Sequence, residues 1–185
     1  MKLDVFGLDK LKKLNRFNPI AVSEQVVTYL PQGLPREGVR RRVLDVILNI
    51  GIPFNRWLGL KIKEFGPTQV VVESPDTVLR RNHVGTAHAC ALALIGEYPS
   101  GLLVAQRYSF DKYRIIISKL EMEYMKAGKG TLFGAAQAPM EWPEQGEEET
   151  WVEMETKITN KKGDLVAVCK TKWQIKEWSK VKSVN

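Results

Sequence analysis

Glu97 is the residue whose type and setting most clearly invite chemistry. It follows a run of small and apolar residues, Ala89, Cys90, Ala91, Leu92, Ala93, Leu94 and Ile95. On a helix it shares a face with Leu94, Ala93 and Cys90. A carboxylate desolvated there is expected to have a raised pKa, the tuning a general base or acid needs near neutral pH. The same position also allows a structural carboxylate, capped or ion-paired a turn before Pro99. His88 lies nine residues earlier, about half a rotation away, so the two side chains need not meet within one subunit. His88 reads either as a proton-transfer group or as a ring that orients its loop. Asn82 and His83 suit contact with a backbone or substrate carbonyl, and Asn82 equally suits a turn ahead of Gly85.

Backbone amides offer a second kind of chemistry. The free N–H groups at a helix start, around His88, Ala89 and Cys90, can stabilise negative charge developing on a carbonyl oxygen. This needs close approach, which small residues permit. Cys90 could instead act as a thiol nucleophile acidified by the helix terminus, although a cysteine in an apolar run is more often packing. His83 and His88 have no third ligand nearby in the sequence, so no metal is expected. Neither a Gly-rich phosphate loop nor G-x-S-x-G occurs.

These residues need a helix to carry them and a sheet to bury that helix. The spacing predicts one buried helix that stops around Tyr98-Pro99-Ser100-Gly101. Ahead of it, Leu8, Leu11, Leu14 and Phe17 suggest a short amphipathic helix, and residues 22–30 a second. Such basic amphipathic pieces suit packing against the fold or a second subunit, with a membrane-surface role as the other reading. Val39, Val43, Val46, Ile47 and Ile50 then line one face of a helix whose other face carries arginines, ended or bent by Gly51 and Pro53. The apolar face is expected to lie on a sheet. Strands are predicted over residues 60–65 and 68–73 before the buried helix, and over 102–105, 114–125, 131–137, 151–159 and 165–175 after it. In the 114–125 strand Ile116, Ser118, Leu120, Met122 and Tyr124 would share a face. Residues 140–149 read as an exposed loop, and Asn160-Lys-Lys-Gly163 as a hairpin turn with a left-handed glycine. The fold class is α+β, a curved antiparallel sheet wrapped around a central helix.

The chain has 185 residues, 44% of them hydrophobic, and a net charge of +7, which suits one globular domain. Cys90 and Cys169 imply no disulfide framework and suit a reducing compartment. No stretch is expected to span a bilayer, and residues 1–13 lack the apolar core of a secretory signal, so the expected location is cytoplasmic. The positive charge suits a solvated surface or an anionic small molecule. No zinc ligand set or RNA-binding aromatic signature points to nucleic acid.

The run Asn82-His-Val-Gly85-Thr-Ala-His88-Ala-Cys90, with Glu97 beyond it, resembles the N-x-x-G-x-x-H-G-G…E/D signature of hotdog-fold acyl-CoA thioesterases, and in particular the thioesterase-like group DUF4442. The resemblance covers residues 36–178, leaving 1–35 as an N-terminal helical extension and 179–185 as a basic tail. It implies a homodimer or dimer of dimers acting on acyl-CoA or another acyl thioester. Glu97 would be general base or nucleophile, an amide near Ala89 or Cys90 would polarise the carbonyl, and Asn82, His83, Gly85 and His88 would shape the site. It implies no cofactor apart from coenzyme A as part of the substrate, whose phosphates would meet Lys112, Arg114, Lys126 or Lys129. Ala89-Cys90 replaces the family's Gly-Gly, so a non-catalytic acyl-CoA or fatty-acyl binding protein is the alternative.

Overall fold

The computed structural model describes residues 18–144 and 149–181. Helices α1 (Pro19–Thr28), α2 (Arg36–Gly51) and α3 (Pro53–Leu58) lead into strands β1 (Lys61–Phe65) and β2 (Gln69–Ser74). A single 3-10 turn (Val78–Arg80) and a loop then precede the long helix α4 (Ala89–Arg107). Four strands complete the domain: β3 (Tyr113–Tyr124), β4 (Leu132–Gln137), β5 (Thr150–Asn160) and β6 (Leu165–Glu177). The predicted helix over residues 1–18 falls almost wholly outside the described residues.

All six strands form one antiparallel sheet in the order β1-β2-β4-β5-β6-β3. Its inner face covers α4, so the α+β reading with a central helix holds. Alternation places Val152, Met154, Thr156 and Ile158 of β5 inward. The β5–β6 hairpin closes as expected: Gly163 is left-handed at φ 83°, and Asn160 Oδ1 accepts from the Lys162 and Asp164 amides.

Three expectations need correction. The first concerns the end of the buried helix. It does not stop at residues 98–101 but runs to Arg107, and the apolar residues Leu102–Ala105 are its last turns rather than a strand. At 19 residues α4 is long and apolar enough to cross a bilayer by length and composition, yet most of it is enclosed within the fold. Pro99 is accommodated rather than terminating. Lacking an N–H, it leaves the Ile95 carbonyl without its helical partner, and Gly134 of β4 packs directly against that carbonyl oxygen. A methyl group on Gly134 would overlap it.

The second correction concerns α2. Its buried residues are Leu44 and Leu48, while Val46 and Ile50 of the predicted stripe face outward. Helix α2 lies between α1 and β1, and only the Leu44/Leu48 side meets the core. The third concerns β3, whose register shifts between Ile117 and Lys119. Strict alternation breaks there, so Ile115 and Ile117 join Met122 against the core and Ile116 is left exposed.

The Gly134 contact makes a direct prediction. Gly134→Ala should lower unfolding stability by about 1–3 kcal/mol through overpacking, read as a lower urea midpoint. An unchanged midpoint would show that the helix can shift away from β4 without cost.

Candidate active site

The site is built around the first half of α4 and the loop before it. His88 is the helix N-cap, and its Nδ1 accepts the Cys90 N–H at 3.1 Å. That bond leaves the His88 ring holding its own helix start rather than reaching toward Glu97. It also occupies the Cys90 amide. Among the described residues neither the Ala89 nor the Ala91 N–H has a partner, and of the two Ala89 is the exposed one and Ala91 is buried.

The loop over residues 81–88 is pinned at both ends. Arg81 and Ala87 form a β-bridge, the Ala87 N–H donates to Gly128 O at 2.7 Å, and the His88 N–H donates to Arg80 O at 2.8 Å. Asn82 is spent inside the loop: its Oδ1 accepts from the Val84 and Thr86 amides, and its Nδ2 donates to Thr86 Oγ1. Gly85, at φ 77°, makes the left-handed turn that this Asn-centred loop requires. His83 is exposed.

Arg80 anchors the loop and is the residue that sequence reasoning missed. Its side chain is 1% exposed and pairs with Asp76 at 3.3 Å. It also donates to Ser74 O at 2.8 Å, Ser74 Oγ at 3.1 Å and Gly130 O. The neighbouring Arg81 lies at the surface and also pairs with Asp76. Two adjacent arginines carry no sequence signal as to which is buried; the 3-10 turn Val78–Arg80, which ends on the first of them, decides it.

Glu97 is half-buried, and its carboxylate makes no hydrogen bond or ion pair with the described residues. Burial alone pushes its carboxyl from an ordinary 4.5 up to about 7. Next to it, Ser100 Oγ donates to Glu97 O at 2.7 Å and lies 3.1 Å from Thr171 Oγ1, while Trp173 Nε1 donates to Thr171 Oγ1 at 3.0 Å. The carboxylate therefore sits beside a satisfied polar cluster without being consumed by it. Cys169, buried under α4, has its thiol pushed up to about 12 by burial and then by the Glu97 charge, so it stays protonated. Cys90 is exposed rather than packed.

This half of the helix is not covered on every side. Ala89 and Cys90 are exposed, and Ala93, Leu94 and Glu97 are only partly buried. The neighbouring strand β3 ends the sheet, and its Ile116, Leu120 and Tyr124 are exposed. Ala89 and Glu97 stand eight residues apart on one helix, roughly 12 Å along its axis at 1.5 Å per residue. The two groups are thus set about two helical turns apart along α4. Of the basic candidates, Lys126 pairs with Asp164, Arg114 donates to Gln174 and Lys112 lies over the Tyr113 ring. No group of three metal-ligating side chains occurs among the described residues.

A family model described as "Domain of unknown function (DUF4442)" matches residues 40–175. Among solved structures, PA5026 from Pseudomonas aeruginosa, described as a protein of unknown function and probable thioesterase, is 20% identical with a TM-score of 0.63, over 72% of this chain and 94% of that one. The thioesterase SAV0944 from Staphylococcus aureus is 20% identical with a TM-score of 0.59, over 67% and 98%. The thioesterase PA1618 from Pseudomonas aeruginosa is 11% identical with a TM-score of 0.61, over 71% and 93%. At these identities the likeness is one of fold, the hotdog fold. No curated protein matches the chain.

Two measurements test the site's architecture. Arg80→Met should cost about 2–4 kcal/mol by stranding buried acceptors and should speed hydrogen exchange at the His88 amide. Unchanged exchange would remove the anchoring role. Glu97 makes stability depend on pH. The folded chain holds this proton up to pH about 7, the unfolded chain only to about 4.5. Stability is therefore greatest below 4.5 as far as this group is concerned and declines as pH rises through 7, by up to about 3 kcal/mol. Asp45, raised to about 6 by burial, adds to the same trend. Glu97→Gln should flatten the decline in melting temperature across this window; an equally steep decline would show that Glu97 titrates normally.

Proposed function

The chain belongs to the DUF4442 family, and from that premise we propose that it hydrolyses acyl thioesters, acyl-CoA among them, with Glu97 as general base. The observation that carries this reading is an unpartnered carboxylate whose pKa burial places at about 7. Such a group is ionised often enough to accept a proton from water and acid enough to return it. Water oxygen attacks the thioester carbonyl carbon while Glu97 takes the water proton. The developing oxyanion is met by the free Ala89 amide. The tetrahedral intermediate then collapses with cleavage of the C–S bond, and the Glu97 proton goes to the departing sulfur, giving a carboxylic acid and a thiol. Attack by Glu97 itself, through an anhydride that water then opens, uses the same groups.

The working unit in this reading is a homodimer, in which a second copy covers the helix face that carries the Ala89 amide and Glu97, about two turns apart. Edge strand β3, twelve residues long with exposed apolar side chains beside the uncovered helix face, offers the surface for a second copy. In this reading pairing there would bring one chain's Ala89 toward its partner's carboxylate. One specific observation favours the alternative, an acyl-CoA or fatty-acyl binding protein without turnover. Ala89 and Cys90 stand where the resembled signature has glycines, and the Cys90 amide is already bonded to His88. We assign the protein to a location with free acyl thioesters, the cytoplasm.

Thiol release from a panel of acyl-CoAs separates the two. Turnover should rise with pH through about 7 in the wild type and fall at least 100-fold in Glu97→Gln, an effect typical of losing a general base. Saturable acyl-CoA binding without thiol release would favour the binding protein. Full activity in Glu97→Gln would sink the hydrolytic assignment of this residue.

A further inference from the structure

The stripe on α2 that was expected to form core has no role in the site. Val46 and Ile50 point away from the protein, and the ridge continues through Ile52 into α3, where Phe54 is 64% and Trp57 61% exposed. Helix α3 is held from beneath. Asn55 and Leu58 are buried, Asn55 hydrogen-bonds the Tyr98 side chain, and Gly59 closes the helix in a left-handed conformation against Pro75. With those two residues inward, Phe54 and Trp57 must face solvent one turn apart. The 3-10 turn packed against α3 extends the strip with Val78 and Leu79, 79% and 67% exposed.

This strip is large for a surface facing only water, and its chemistry is mixed in a particular way. Residues 36–63 hold seven cations, Arg36, Arg40, Arg41, Arg42, Arg56, Lys61 and Lys63, against two carboxylates, Glu37 and Asp45. Arg41, Arg42, Lys61 and Lys63, with Asp45 as the one carboxylate among them, line one cavity of about 520 Å³ between α2 and β1. Arg42 and Arg56 themselves are exposed. Apolar aromatic tips beside clustered cations are what an interfacial membrane segment presents: rings among the acyl chains, guanidinium groups on lipid phosphates. Helix α2 packs on β1, and β1 and β3 are opposite ends of the sheet. A second copy paired through β3 would not cover α2.

We propose that the α2–α3 ridge docks this protein on anionic lipid bilayers, with Ile50, Phe54 and Trp57 inserted at the interface and the exposed cations Arg36, Arg42, Arg56 and Lys61 on lipid phosphates. Arg40, Arg41 and Lys63 are held within the fold by Glu24, the Lys63 carbonyl and Glu73. The inference is independent of turnover at Glu97. The directionless contacts that the ridge offers suit a lipid surface better than a shaped protein partner.

Flotation of the full chain with phosphatidylcholine vesicles, with and without phosphatidylglycerol, tests this. Wild type and Glu97→Gln should both float with the anionic vesicles and much less with the neutral ones, and high salt should release them. Phe54→Ser/Trp57→Ser should lower the bound fraction at least tenfold with an unchanged melting temperature, since neither side chain belongs to the core. Arg42→Glu/Arg56→Glu should do the same through charge. Brominated lipids should quench wild-type fluorescence but quench Trp57→Phe markedly less. Absence of wild-type flotation, or undiminished flotation of Phe54→Ser/Trp57→Ser, overturns the proposal. A smaller assembly for Phe54→Ser/Trp57→Ser by light scattering, without vesicle binding by the wild type, would instead assign the ridge to contact between copies.

Discussion

Close approach between α4 and the sheet is the constraint on which the rest of the fold depends. Gly96 lies on Cys169 of β6 and Gly134 of β4 lies on the Ile95 carbonyl, and in both places a methyl group would overlap its neighbour. Helix and sheet meet without side-chain spacers there. That proximity lets a six-stranded sheet enclose a 19-residue helix, and it gives Pro99 a place in mid-helix: the carbonyl that Pro99 leaves unbonded is the one Gly134 admits. The contact also fixes the rotation of α4. With Ile95, Gly96 and Pro99 turned to the sheet, Cys90, Ala93, Leu94 and Glu97 fall toward the β3 edge, where the chain covers them only in part.

Glu97 takes its character from that rotation. Turned fully inward it would need a buried partner, and turned outward it would titrate like any surface glutamate. At the margin it is desolvated without being paired. Arg80 does the complementary work at the other end of the site. By tying Ser74, Asp76 and Gly130 together while its carbonyl holds the His88 amide, it sets where the helix begins and hence where the Ala89 N–H points. The carboxylate and the amide are thus positioned by separate devices, packing for one and a buried hydrogen-bond network for the other.

How much of this was legible in the sequence depends on which physical signal each part left. Alternation and turn chemistry marked β1, β2, β4, β5 and β6 and the Asn160–Gly163 turn, because half-covered strands must alternate and left-handed positions favour glycine. Glu97 stood out because a lone acid in an apolar run is costly. The end of α4 was hidden, since Leu102–Ala105 is uniformly apolar and a buried strand and a buried helix share that pattern; Pro99 and Gly101 then argued for a stop that Gly134 makes unnecessary. Helix α2 carries two apolar stripes at helical spacing, Leu44/Leu48 and Val46/Ile50, and spacing alone cannot say which one the rest of the protein covers. Arg80 left no mark at all, being one of two adjacent arginines. The bulge in β3 was equally silent, because it arises from pairing with β6 rather than from any residue within the strand.

The two uncovered surfaces differ in what they demand. The β3 edge carries unpaired backbone donors and acceptors in a fixed row, with apolar side chains beside them, and a protein partner matches it only with another strand in register. The α2–α3 ridge has no such row, because its backbone groups are bonded within the helices and what it exposes is side-chain area with cations around it. A partner for the first must match direction and spacing, whereas a partner for the second need only be apolar inside and negative outside. A single occupant does not meet both descriptions. The sheet separates the surfaces to opposite edges, β3 at one end and β1 under α2 at the other, so filling one leaves the other available. Two chains paired through β3 would therefore still present two α2–α3 ridges, and simultaneous contact through both would bind a bilayer more tightly than either ridge alone wherever their geometry allows it.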